Sequence, residues 1–252
     1  MTSTMCTIQG NPLESIYNEN PKPGVSKRYE FFPTYKVIDF MADHGFDASR
    51  MQGLSRRSKQ PEYAKHLVTF RKRNQSTELT EGVPELVFIN SHNRSSSAQF
   101  MVGFFRWACE NGCIFGEFSD KSRIHHTTNN PFDQLLQLIQ MGVESIDTKI
   151  KRIADMKEVI LDSDEAEEFV ERAAYLRNVA DPYQLLYAQR REDRAPTLWA
   201  TYNRAQEGLI RGKYEVFNMA KGSYRKARPV SSVSETVRIN TGLWKIADSF
   251  VF

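Results

Sequence analysis

The fold turns on the reading of Ile89–Gly112, "INSHNRSSSAQFMVGFFRWACENG". An apolar run ends there, a polar turn carries His92, Arg94, Ser95, Ser96 and Ser97, and a second apolar run follows. From Ala98 to Cys109, the residues Phe100, Met101, Phe104, Phe105 and Ala108 fall at helical spacing, and Gly112 closes the segment, so a helix is expected. One of the three serines is then its N-cap, with the hydroxyl accepting from a free backbone N–H of the first turn. Two readings of the turn stay open. It is either an ordinary cap with a solvent-facing arginine, or a phosphate grip at Arg94, Ser95 and Ser96, since a helix start favours anions.

Upstream, "PELVFIN" (Pro84–Asn90) reads as a buried strand, and "HLVTFRK" (His66–Lys72) alternates in strand fashion. "FFPTYKVIDFMADHGF" (Phe31–Phe46) places Pro33 at a helix start and Gly45 at its end, with Val37, Phe40 and Met41 on one face. Residues 1–26 are polar and interrupted by Pro12, Pro21, Pro23 and Gly24, so they read as a flexible arm before an α+β core over 27–128. Downstream, "CIFGEFSDKSRIHH" (Cys113–His126) suggests a hairpin or paired strands.

The second half changes period. Phe132, Leu135, Leu136, Ile139, Val143, Ile146, Ile150 and Ile153 form a stripe predicting one long helix, opened by Asn130 and Pro131. Further helices are expected at Ser163–Val179, Pro182–Arg191, Pro196–Ile210 and in the closing "NTGLWKIADSFVF". On the third of these, Leu198, Tyr202, Ala205 and Leu209 share a face, and Asn203, Gln206 and Glu207 are expected to join a buried polar network against the Trp244 helix. Residues 129–252 thus read as a mainly helical region, continuous with the core. The fold class is α+β: a strand-rich N-terminal half with an antiparallel or mixed sheet, and a helical C-terminal half packed on it.

With 252 residues, 40% of them hydrophobic, the chain is long enough to bury a real core. No apolar run reaches the roughly 18 to 20 residues of a membrane helix, and the N-terminus lacks a basic flank before an apolar stretch, so no membrane association is expected. Cys6, Cys109 and Cys113 are too few for a disulfide framework and odd in number, which fits a reducing cytoplasm.

The balance of 34 basic against 31 acidic residues leaves a formal charge of +3, and its distribution is more informative than its sum. Basic clusters supply Arg56, Arg57, Lys59, Arg71, Lys72, Arg73, Arg225, Lys226 and Arg228, while "DSDEAEEFVE" (Asp162–Glu171) concentrates acid. Tyr63, Phe70 and Tyr224 lie among the basic residues, a composition that suits single-stranded nucleic acid, where phosphates supply affinity and bases stack. Each run also fits a plain solvated face, and each aromatic a core position.

For an enzyme, His66, His92 and His125 each sit on or at the end of an expected strand, where a sheet could gather them around a metal or as acid and base. Their spacing matches no metal motif. Cys109 and Cys113 followed by His125 and His126 imitate a zinc finger with the wrong spacing. Walker, G-x-G-x-x-G and G-x-S-x-G patterns are absent, so neither a cofactor nor a resident metal is expected.

"FFPTYKVIDFMADHGF", "YAKHLVTFRK", "VPELVFINSH", "GFFRWACENG", "RREDRAPTLWATYNRAQEGLIRGKY" and "VRINTGLWKIAD", in this order, resemble an uncharacterised domain-of-unknown-function family carried by phages, plasmids and prophages, the YubP-like proteins. The resemblance spans Lys27 to Ala247; after His92 it departs, with Asn93 and Arg94 standing where an acidic residue and a glycine are expected. It implies a mobile-element setting and carries over no catalytic residue. The expectation is a non-catalytic nucleic-acid-binding accessory protein, engaging single-stranded DNA in recombination, repair or establishment. A homo-oligomer is compatible with it. Two alternatives stand beside it: an inhibitor of a host defence complex acting through the acidic stretch, and a metal-dependent nuclease built on His66, His92 and His125.

Overall fold

The computed structural model describes residues 7–9, 12–26, 29–53, 59–73, 82–106, 112–115, 123–124, 131–218, 220 and 222–251. They divide into two compact units: Met1–Arg106 with Glu117–Ile146 and Ser231–Val233, and Trp107–Gly116 with Asp147–Val230 and Ser234–Phe252. The division falls inside the long helix rather than at its start near residue 129.

The first unit is built on an antiparallel sheet of four strands, β2 (Phe46–Gln52), β3 (His66–Lys72), β4 (Gly82–Asn90) and β5 (Ala98–Arg106), each paired with the next. At one edge β1 (Thr7–Gln9) runs parallel to β2. All nine residues of β4 are buried. Pleating sends Leu86, Phe88 and Asn90 to one face, with their cross-strand partners Phe70, Val68 and His66. That face is covered by α2 (Thr34–Asp43) and the start of α3 (Pro131–Glu158). Phe32 packs edge-on against Phe88 and against Phe132, and at Gly142 a Cβ would stand 2.9 Å from the end of the Leu86 side chain, so the helix lies close against the sheet there.

The segment expected as a helix from Ala98 is strand β5 instead. A strand buried on both faces is apolar throughout, so aromatic pairs at spacings of three and four appear without any helix; β4, directly alongside, supplies the hydrogen-bond partners that decide the matter. The arm expected over residues 1–26 is also corrected where it is described. Besides β1 it forms α1 (Pro12–Ile16), and Ile16 is wholly buried. Of the segment expected after Cys113 as a hairpin or paired strands, the described residues form β6 (Gly112–Phe115) and β7 (Arg123–Ile124), and β7 pairs with β5 through Ile124 and Ala98; the rest lies outside the described residues.

In the second unit, α4 (Ser163–Tyr175) opens with a reciprocal capping box between Asp162 and Glu165. Pro182–Leu186 makes only a short 3-10 turn where a longer helix was expected. α5 (Leu198–Arg211) is capped by the Thr197 hydroxyl and is buried along most of its length. α6 (Val233–Asp248) begins a full two turns before the expected closing helix. Tyr202 stacks on Trp199 and meets Trp244 edge-on. Of the network expected against the Trp244 helix, Gln206 donates to Asn240 Oδ1, whereas Asn203 donates to the Trp199 carbonyl within α5 and Glu207 pairs with Arg190.

Between α5 and α6 stands a two-stranded hairpin, β8 (Glu215–Asn218) and β9 (Ser223–Lys226). Its entry is Gly212, left-handed at φ 69°, where a Cβ would meet the carbonyl oxygen of Ala227 at 2.4 Å. Both the backbone sign and the clash select glycine. Gly212→Ala is therefore expected to lower the unfolding free energy by about 2 kcal/mol or more, through αL strain and displaced backbone, measured by urea denaturation.

Candidate nucleic-acid interface

The basic residues singled out in the sequence separate by what they touch. Arg71 Nε donates to Glu85 Oε1 at 2.8 Å, and its guanidinium lies 4.3 Å from the Phe105 ring centroid. Glu85 is 1% exposed and also accepts from the Ser49 hydroxyl, which in turn contacts Thr69 Oγ1 at 2.7 Å. A carboxylate so buried requires a cation beside it, and Arg71 serves that charge rather than a phosphate. Arg73 pairs with Asp47 through two nitrogens and donates to the Ala42 carbonyl. Lys59 and Lys72 are exposed; Arg56 and Arg57 lie outside the described residues.

No helix begins at the serine turn, so the helix-start anion site expected at Arg94, Ser95 and Ser96 is not formed. The turn closes on itself: Asn93 Oδ1 accepts from the Ser95 N–H, Ser91 Oγ donates to the Ser96 carbonyl and accepts from its N–H, and Arg94 takes the left-handed conformation at φ 63°. This is Asx-turn chemistry that reverses the chain into β5.

His66 and His92 come together with ring centroids 5.1 Å apart; His125 lies outside the described residues. His66 Nδ1 sits 2.9 Å from the Ala64 carbonyl and must donate to it, which makes Nε2 the acceptor of the Thr34 hydroxyl at 2.7 Å. Thr34 Oγ1 accepts in turn from the Asn90 amide, whose nitrogen also donates to the Phe32 carbonyl. Both ring nitrogens of His66 are thereby committed, Nδ1 to the chain just before β3 and Nε2 to holding α2 against the sheet. His92 Nε2 donates to the Ser15 carbonyl, which ties the N-terminal segment to the same cluster. Burial, reinforced by His92, pushes the His66 pKa down to about 3. Among the described residues no group of three or more metal-ligating side chains forms.

The β8–β9 hairpin is arranged differently. Ser223, Tyr224, Arg225 and Lys226 are all exposed, as is Arg228 just beyond. Tyr224 is 67% exposed, well above what a core role allows. None of the ion pairs among the described residues uses Arg225, Lys226 or Arg228. The register pairs Lys226 with Glu215 and Tyr224 with Phe217, so Tyr224 and Lys226 share one face and Arg225 the other. The roots are clamped: Arg177 donates to the carbonyls of Leu209 and Arg228 and lies 5.6 Å from the Tyr214 ring, while the Ala227 N–H donates to the Tyr214 carbonyl.

Beside the root opens a cleft of about 370 Å³, lined by Tyr187, Gln189, Lys213, Tyr214, Glu215 and Lys226 among others. Gln184 is fixed at its rim, accepting from the Glu215 N–H at 2.7 Å. Of these residues the sequence reading singled out only Lys226; the others are scattered over the 3-10 segment and the hairpin, with no periodicity to mark them. A second cleft of about 330 Å³ includes Arg194 and Arg204 but also Asp162 and Glu167, so its charges largely offset one another.

The chain belongs to the family described as "Domain of unknown function (DUF932)", whose model matches residues 23–244. It is similar to two Escherichia coli K12 proteins, "UPF0380 protein YafZ" and "UPF0380 protein YfjQ", at 29% identity over 252 and 248 residues, covering 95% of this chain and 88% of each relative. No solved structure matches the chain. Among the described residues, no helix is long and apolar enough to cross a membrane.

Two stability measurements separate the structural roles from functional ones. Arg71→Ala strands the buried Glu85 charge and is expected to cost about 3 kcal/mol, whereas Arg73→Ala at its exposed, solvent-screened pair is expected to leave the urea midpoint nearly unchanged. Because unfolded His66 takes up a proton near 6.5 and the folded residue resists until about 3, stability rises with pH across that window. From pH 6 to pH 4 the wild type is expected to lose roughly 2 to 3 kcal/mol more than His66→Gln, compared by urea titration at the two pH values.

Proposed function

We propose that the protein is a non-catalytic nucleic-acid-binding accessory protein that grips single strands through the β8–β9 hairpin. The observation carrying this reading is the exposed alternation on β9: a tyrosine with two neighbouring cations, neither of which is held in an ion pair among the described residues. A two-stranded ribbon with charge on both faces can follow a phosphate backbone, and an exposed ring offers a stacking platform for any base. Single strands suit it better than duplex because stacking needs an unpaired base face. The mobile-element setting, with a phage- or plasmid-borne YubP-like protein acting in recombination, repair or establishment in the bacterial cytoplasm, completes the proposal.

A second reading rests on α4. Asp164, Glu165, Glu168 and Glu171 are exposed on one helix, an acidic surface that could occupy the DNA site of a host defence protein.

Fluorescence anisotropy of labelled single- and double-stranded DNA over a salt series tests the first reading. Binding that falls steeply with salt is expected, with Arg225→Ala/Lys226→Ala reducing the log–log slope by about two. Tyr224→Ala should weaken binding at every salt concentration without changing that slope. If the wild type fails to bind at low salt, the hairpin reading is abandoned in favour of a protein partner for α4.

A further inference from the structure

The cleft at the hairpin root has a composition that phosphate binding alone does not explain. It sets an aromatic ring, Tyr187, 75% exposed, beside two lysines, Lys213 and Lys226, and adds the Gln189 amide and the Glu215 carboxylate. A site made only for phosphate has no use for a carboxylate. Its volume, about 370 Å³, lies within the range of about 300–1,000 Å³ typical of small-ligand pockets.

The backbone around it is secured. Gln184 accepts from the Glu215 N–H while its amide nitrogen donates to Asp181 Oδ2 at 3.3 Å, so the 3-10 segment and the first residue of β8 are tied together. Tyr214, 4% exposed, forms part of the wall, and burial raises its phenol pKa, keeping it neutral in ordinary buffers. The cleft lies on the face of β9 that presents Lys226 and Tyr224, two residues apart, which is the face a strand would follow.

Resting on the nucleic-acid reading above, we infer that this cleft receives one splayed-out nucleobase carrying an exocyclic amine, cytosine or adenine in preference to thymine. Tyr187 supplies the face on which the base stacks. Lys213 and Lys226 take the flanking phosphates. Glu215 accepts from the amine, the pairing by which a carboxylate selects cytosine N4; thymine offers an oxygen there, which the carboxylate repels. Gln189, a donor and an acceptor, satisfies the remaining edge.

The test uses the full chain and three labelled oligomers of equal length: oligo(dC), oligo(dT) and an abasic strand. The wild type is expected to bind oligo(dC) about tenfold more tightly than the abasic strand, the size of effect that one aromatic–base stack supplies, with oligo(dT) between them. Tyr187→Ala should bring oligo(dC) down to the abasic level while leaving the salt slope unchanged; the side chain is exposed, so folding should be unaffected, which circular dichroism checks. Glu215→Gln should raise oligo(dT) to the level of oligo(dC). Equal wild-type binding of all three strands overturns the base cleft and leaves phosphate-driven binding by the hairpin standing. Unchanged oligo(dC) binding by Tyr187→Ala overturns the stacking assignment, and an unchanged preference in Glu215→Gln overturns the amine assignment. Failure of the wild type to bind any strand removes the nucleic-acid reading and the cleft together.

Discussion

A carboxylate sits in the middle of the most buried strand, and the sheet around it is arranged to hold its charge. A charge without a partner is costly there, because moving one from water into a protein interior costs several kcal/mol even after relaxation. Arg71 supplies the opposite charge, Ser49 a hydrogen bond, and Thr69 meets the Ser49 hydroxyl, so β2, β3 and β4 are stitched by one polar ladder. Phe105 on β5 closes over the guanidinium. The arginine that looks most available in "FRKR" is thus the one the fold can least release.

On the opposite face of the same sheet the burden falls on neutral groups. Asn90, Thr34 and His66 pass hydrogen bonds in one direction, from amide to hydroxyl to imidazole to carbonyl, and this works only while His66 is uncharged. Burial keeps it so. A pair of histidines that resembles a reaction centre in the sequence is accounted for by the need to seat α2 on the strands. The second unit makes the complementary arrangement: α5 and α6 share their polar groups with each other, Arg177 clamps the hairpin roots, and the cations of β9 are left facing water.

Much of this was legible from period alone. The helix after Pro33 and the stripe from Phe132 to Ile153 follow from one-sided burial, which imposes its spacing on the residues, and the strands His66–Lys72 and Pro84–Asn90 from short apolar, β-branched and aromatic runs. The run after Ala98 misled for the same reason in reverse, since burial on both faces erases alternation. Strand β2, "FDASRMQ", escaped notice because its polar residues Ser49, Arg50 and Gln52 are buried, and no pattern rule anticipates polar residues turned inward.

Among the binding candidates, the sequence could name cations but could not tell which were already engaged. Composition and order alone determined the α+β class, the helical second half and the cluster "YRKAR", because these depend on local period and residue type. Only tertiary structure decided that Arg71 answers to Glu85 and Arg73 to Asp47, whereas Arg225 and Lys226 form no ion pair among the described residues. The physical reason is distance along the chain: a charge is neutralised by whatever the fold brings within a few ångströms of it, and for Arg71 and Arg73 those partners lie 14 and 26 residues away.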